Sequence, residues 1–165
     1  DSETGMIVAG RSAKNGHCYI IEDCSRLRPS PETWGRLAIA KYHEYRANRI
    51  VAEVNQGGDM VSHTLRSVDP TVNIVEVRAS RGKHVRAEPI AALYEQGRIA
   101  HVGAFPELEA QMTQMTIHGY EGAGSPDRVD ALVWAFTELF PDMTDRAAPV
   151  EPYRVRRVSS GWMGS

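Results

Sequence analysis

The sequence predicts an α/β fold, a mixed sheet flanked by helices, and three observations carry that expectation. First, MIVAGRS, the turn Lys14-Asn15-Gly16 and the returning stretch HCYIIEDCS read as an antiparallel hairpin. Second, strand and helix patterns alternate from Tyr19 to Val77, which argues for a sheet with right-handed crossovers. Third, RIVAEVN alternates so weakly that it suits burial on both faces, as parallel strands in layered proteins are buried.

The 165 residues suffice for one domain with a real core and are short for two. With 42% hydrophobic and 24% charged residues, the chain has the composition of a soluble globular protein and not of a disordered one. No apolar run approaches the ~20 residues of a membrane span, and no signal peptide opens the sequence. A formal charge of −2 does not mark a nucleic-acid binder, so a local basic patch would have to make that case. Cys18 and Cys24 fall in one predicted strand, where an extended backbone holds them about 20 Å apart, beyond disulfide reach. They read as buried thiols.

Ser30-Pro31-Glu32-Thr33 opens the first helix, with Ser30 as cap and Pro31 at the first position. Trp34, Leu37, Ala38, Lys41, Tyr42 and Tyr45 continue it at helical spacing. RIVAEVN then forms a short strand ended by Gln56-Gly57-Gly58, DMVSHTLRSV a helix, and VNIVEVRAS the next strand. SRGKHVRAEP, punctuated by Gly82 and Pro89, reads as a basic loop before a helix IAALYEQG closed by Gly97. RIAHVG suits an edge strand, FPELEAQMTQM a helix, and IHGYEGAG a glycine-rich loop. Beyond Pro141 periodicity is lost, and residues 141–165 read as a loosely ordered tail behind a domain spanning 1–140.

The last helix, SPDRVDALVWAFTELF, carries the first functional candidate. Ser125 suits the N-cap and Pro126 the first helical position, while Asp127 favours the positive end of the helix dipole. Val129, Leu132, Val133, Phe136, Leu139 and Phe140 make an apolar stripe. Asp130 lies at the edge of that stripe, whereas Asp127 points further out.

Glu53 is the expected partner of Asp130. It stands near the C-terminal end of a buried strand, where ligands of open α/β sheets gather. A carboxylate there is costly unless paired, and a buried Arg or a backbone cap would also satisfy it. Two such acids suit a hard divalent cation completed by water and phosphate. Asp127 is sufficiently explained as a first-turn acid, Asp23 as a local turn acid and Asp59 as a helix start. Lys83 and Arg86, with Arg78 and Arg81, form the densest basic cluster, which is either solvated or placed to grip phosphates beside Glu53. His43, His63, His84, His101 and His118 form no catalytic motif, and Gly82-Lys83 precedes His84, so there is no GxxxxGK[ST] loop.

In this order, RIVAEVNQGGDMV, ASRGKHVRAEPIAALYEQGRIAHVG, FPELEAQM and SPDRVDALVWAFTEL resemble the C-terminal nuclease domain of the large terminase subunit of tailed bacteriophages and related prophages. The resemblance runs from about Gly5 to Phe140 and rests on four motifs in series. It implies a ribonuclease H-like mixed sheet, related to Holliday-junction resolvases, with helices on both faces and an acidic two-metal site for Mg²⁺ or Mn²⁺. The family's second acid falls on Glu53 and its third on Asp130, with Asp127 and Asp1 as further metal candidates. The family's first acid lies on a strand before a DxxTG-like loop, here DSETG, so the resemblance implies a strand upstream of Asp1.

The implied activity is endonucleolytic cutting of concatemeric double-stranded DNA at the start and end of packaging, with Lys83, Arg86 and Arg81 on the DNA. The implied partners are double-stranded DNA, an ATPase domain absent from this sequence, the portal protein and the small terminase subunit. The implied place is the cytoplasm of the bacterial host, with no membrane. Two other readings stay open: a non-catalytic module of the same fold that docks DNA or portal, and a resolvase-like nuclease of branched DNA.

Overall fold

The opening hairpin is set by its turn. Ser12 Oγ accepts from the amides of Lys14 and Asn15, Asn15 Oδ1 accepts from His17, and Gly16 takes φ +74°. In the computed structural model, which describes residues 3–54 and 59–141, a two-residue β1 (Glu3–Thr4) precedes this hairpin of β2 (Ile7–Arg11) and β3 (Cys18–Asp23). The strands pair antiparallel with Gly10 opposite Tyr19 and a bulge at Val8/Ala9. β4 (Arg26–Leu27) pairs antiparallel with β1.

α1 (Pro31–Glu44) begins as expected, with Ser30 Oγ accepting the Thr33 amide. Its buried residues are Gly35 and Ile39, so the apolar face is turned slightly from the predicted stripe and Tyr45 is exposed. Close approach explains the turn. A Cβ on Gly35 would come within 2.8 Å of Thr64 on the helix packed against it. That helix is α2 (Asp59–Val68), the crossover between β5 (Ile50–Glu53) and β6 (Ile74–Val77), which pair in parallel. Ile39, Leu65 and Val72 form the buried centre between α1 and α2, with Trp34, Tyr42 and Ile74 around them.

α3 (Lys83–Glu95) corrects the predicted basic loop. Gly82 is its N-cap, and Pro89 lies inside the helix, where it costs the ladder one bond to the Val85 carbonyl. Burial of Ile90 and Leu93 outweighs that loss. β7 (Ile99–His101) then joins β3 in parallel, giving a mixed sheet of order β2-β3-β7 with β7 at the edge. α4 (Pro106–Thr113) follows. The predicted helix FPELEAQMTQM ends early, and a small hairpin of β8 (Met115–Thr116) and β9 (Gly119–Tyr120) runs from its end into the predicted glycine-rich loop, closed by Gly119 at φ +121°.

α5 (Asp127–Leu139) is the organising helix. Val129, Leu132, Val133 and Phe136, with Phe140 just beyond its end, pack onto Cys18, Ile20, Ile90, Leu93, Ile99 and Leu108. Each large side chain buried there contributes roughly 2 kcal/mol. The predicted stripe is therefore the core-facing one. Cys18 and Cys24 are free and buried, and burial pushes their thiols up to about 11 and about 12. Among the described residues no helix is long and apolar enough to cross a membrane. The Gln56-Gly57-Gly58 break and residues 142–165 of the predicted tail lie outside the described residues.

Candidate functional site

Glu53 ends β5 opposite Val77, and its side chain is exposed at the carboxyl end of the parallel pair. α5 reaches this strand end because its apolar face seats on the sheet. Its first ladder bond runs from the Asp130 amide to the Pro126 carbonyl at 2.8 Å. Pro126, not Ser125, holds the cap position, and Gln111 Oε1 of α4 caps the helix start by accepting from the Arg128 and Val129 amides at 3.0 and 3.3 Å. The Ser125 hydroxyl is used elsewhere, accepting from Lys83 Nζ at 2.9 Å.

Asp130 is 13% exposed, and cations flank its carboxylate. Lys83 Nζ contacts Oδ2, and Arg86 Nη2 lies 3.9 Å from Oδ1. Both cations come from the first turns of α3, three residues apart and so on one face. They sit at the positive end of that helix, where positive charge is unfavourable. No acid in the first turn of α3 offsets them, so Asp130 does. Burial raises the Asp130 pKa above the ordinary aspartate value. Lys83 and then Arg86 oppose the rise, and the nearby negative charge of Glu53 adds to it.

Trp134 joins the two sides of the site. Its indole Nε1 donates to Glu53 Oε2 at 3.0 Å, and the Arg86 guanidinium lies over its ring, 4.7 Å from the centroid. Trp134 lies off the apolar stripe, so helical periodicity does not single it out. Its position one turn after Asp130, on the same helical face, is the signal that could have found it.

The remaining candidates fall out differently. Asp127 shares the first turn of α5 but takes no part in the Asp130 cluster, and its carbonyl is packed against Gly5, where a Cβ would come within 2.0 Å. Asp1 lies outside the described residues. Arg81 is exposed, and its carbonyl accepts from Arg86 Nε at 3.3 Å. Asp23 makes the expected local bond to the Ser25 amide at 3.0 Å, and it also binds Arg128. That Arg128 guanidinium donates to Asp23 and Glu3 together, with each contact as short as 2.6 Å. His101 bonds Tyr94 and Glu109 instead of joining the acids.

Hard oxygen donors such as the Glu53 and Asp130 carboxylates suit a divalent metal completed by water and phosphate, and Asp130 already faces cations. Among the described residues, no group of three His, Cys, Asp or Glu could hold one unaided. The Lys83 ammonium is the cation that stands at Asp130 here.

The profile of the terminase RNaseH-like domain family matches residues 2–139. The fold is similar to the large terminase nuclease of the thermophilic phage G20c, with a TM-score of 0.60, 16% identity and 82% of each chain covered. It is similar also to that nuclease with bound cobalt, with a TM-score of 0.61, 16% identity and coverage of 82% of this chain and 81% of the other. At such identity these likenesses speak for the fold alone. No match is found among curated proteins.

Proposed function

The chain belongs to the terminase RNaseH-like domain family, and on that premise we propose that it is the metal-dependent endonuclease domain of a DNA-packaging terminase. One observation carries the proposal. Trp134, one turn from Asp130, bonds Glu53, so the acid ending β5 and the acid of α5 open onto one place beside Lys83 and Arg86. The cobalt bound by the related phage nuclease supports a divalent ion as the partner of these acids.

Glu53 and Asp130 are the residues that would hold Mg²⁺ or Mn²⁺, with Asp127 and Asp1 as further candidates. When bound, a pair of such ions supplies an activated water and stabilises the leaving oxygen of a phosphodiester. The chain's own residues do the rest. Lys83 turns from Asp130 to a DNA phosphate, and Arg86 and Arg81 add positive charge along the same helix start. Double-stranded DNA is the substrate, cut at the start and end of packaging in the host cytoplasm. The ATPase domain, portal and small subunit complete the assembly.

A second reading, a docking module of the same fold, is favoured by the lack of a third acid among the described residues. Plasmid nicking with added Mn²⁺ separates the two, using the chain itself and the intact subunit, each with Glu53→Ala and Asp130→Ala. Loss of nicking in both variants with the fold retained supports the nuclease. Equal nicking by Asp130→Ala and its parent removes Asp130 from the site, and no nicking by any form leaves the docking module. Faster cutting of four-way junctions than of linear duplex would point to a resolvase.

A further inference from the structure

Trp134 is the one large aromatic of α5 that the buried core does not use. It bonds an acid 81 residues away in sequence, through its Nε1 to Glu53 Oε2 at 3.0 Å. The same ring carries the Arg86 guanidinium on its face, 4.7 Å from the centroid. Arg86 is 12% exposed, and its Nη2 lies 3.9 Å from Asp130 Oδ1. Its Nη1 is buried with no hydrogen-bond partner. Beyond the bond from Nε to the Arg81 carbonyl at 3.3 Å, this guanidinium lacks a full set of hydrogen bonds, and the aromatic face is the surface it rests on.

We propose that Trp134 is a positioning residue that aligns both halves of the site. Its N–H holds Oε2 of Glu53 and leaves Oε1 for the metal, and its ring holds Arg86 against Asp130. The inference rests on the reading of Glu53 and Asp130 as metal ligands. Glu53 is exposed at a strand end, so without a fixed partner its carboxylate would sample several rotamers before each binding event. A charge-assisted bond to one oxygen removes that freedom in advance and favours single-oxygen ligation. The ring does the equivalent for Arg86, keeping the positive charge next to the acid of the same helix.

Two substitutions separate the roles. Trp134→Phe keeps the ring and removes the donor, whereas Trp134→Leu removes both. Mn²⁺ binding is followed without DNA from the EPR signal of the free ion, duplex binding without metal by fluorescence anisotropy, and folding by thermal unfolding. Trp134→Phe is expected to weaken Mn²⁺ binding about 10-fold, the usual effect of losing a partner of a metal ligand, with duplex affinity within about twofold of the parent. Trp134→Leu is expected to weaken both. A Glu53→Gln/Trp134→Phe double variant should bind Mn²⁺ no worse than Glu53→Gln alone, because the indole acts through Glu53.

A Trp134→Phe protein that binds Mn²⁺ like its parent overturns the positioning role and leaves the metal site standing. So does a loss that simply adds to that of Glu53→Gln, since packing alone would produce it. A parent that binds Mn²⁺ no better than Glu53→Gln overturns the metal site itself, and the positioning role with it.

Discussion

The Lys83 ammonium rests on the Asp130 carboxylate and donates to the Ser125 hydroxyl, so one side chain ties the start of α3 to the entrance of α5. A divalent cation at Asp130 has to displace it. Lys83→Met is therefore expected to bind Mn²⁺ about threefold to fivefold more tightly in the absence of DNA, in keeping with a half-exposed ion pair. The same variant should bind duplex more weakly, with the salt slope reduced by about 1. Calorimetric Mn²⁺ titration and a salt series of duplex binding check the two halves. Unchanged values in both would return Lys83 to a purely structural pairing.

Asp130 is built at a cost. Its folded pKa is raised, chiefly by burial, so the folded chain holds the proton more tightly than the unfolded one. Stability from this group is full below the ordinary aspartate value and falls as pH rises through the raised one. At neutral pH the charge is a penalty that Asp130→Asn removes. The variant should unfold at the same temperature as the parent or up to about 4 °C higher at pH 7, while losing metal binding. The difference should close as pH falls into the aspartate range. A clear drop in unfolding temperature at pH 7 would show that the pairing with Lys83 outweighs burial.

How much of this was legible in the sequence follows from the range of the interactions. Glu53 and Asp130 stand out as candidates because each announces itself locally, as an acid in an apolar strand and an acid at the edge of a helical stripe. The β2–β3 hairpin and α1 could be read because turn and cap residues act over a few positions. The start of α3 could not, since Gly82 and Pro89 are breakers by propensity and only the burial of Ile90 and Leu93 overrides them. Nor could the Arg128 network, whose partners lie 105 and 125 residues away. Asp23 looked local because half of its bonding is local.

That network supplies a stability prediction. Glu3 and Asp23 are only 10% and 5% exposed, and Arg128 pairs with both. Arg128→Met leaves two buried carboxylates without their cation, at a cost of about 3 kcal/mol. Urea unfolding measures it. A loss well under 1 kcal/mol would mean that water reaches these acids when the arginine is gone.

A second pH effect belongs to β7 and α4. A carboxylate only accepts, so His101 Nδ1 donates to Glu109 at 2.9 Å, while Nε2 is hydrogen-bonded to the Tyr94 hydroxyl at 2.7 Å. The bond from His101, then that from the Phe105 amide, holds the Glu109 carboxyl below its ordinary value. Its contribution is present above the unfolded value of 4.5 and is lost as pH falls through the lowered folded one. Glu109→Gln should be less stable than the parent at neutral pH and lose less on acidification. Parallel urea midpoints for both proteins from neutral to acid pH would show that this pairing contributes nothing.

The contacts of α5 also fix an order of events. Arg11 closes on the Leu139 carbonyl across 128 residues, and Trp134 reaches Glu53 across 81. Loops of that size are slow to close, whereas the β2–β3 hairpin can form as soon as its turn does. Docking of α5 is thus expected to be a late step of folding, and it is the step that brings Trp134 to Glu53. A chain still being made, or one caught half-folded, has no assembled acidic pair. The proposed acidic site is thus a property of the finished molecule and not of its parts.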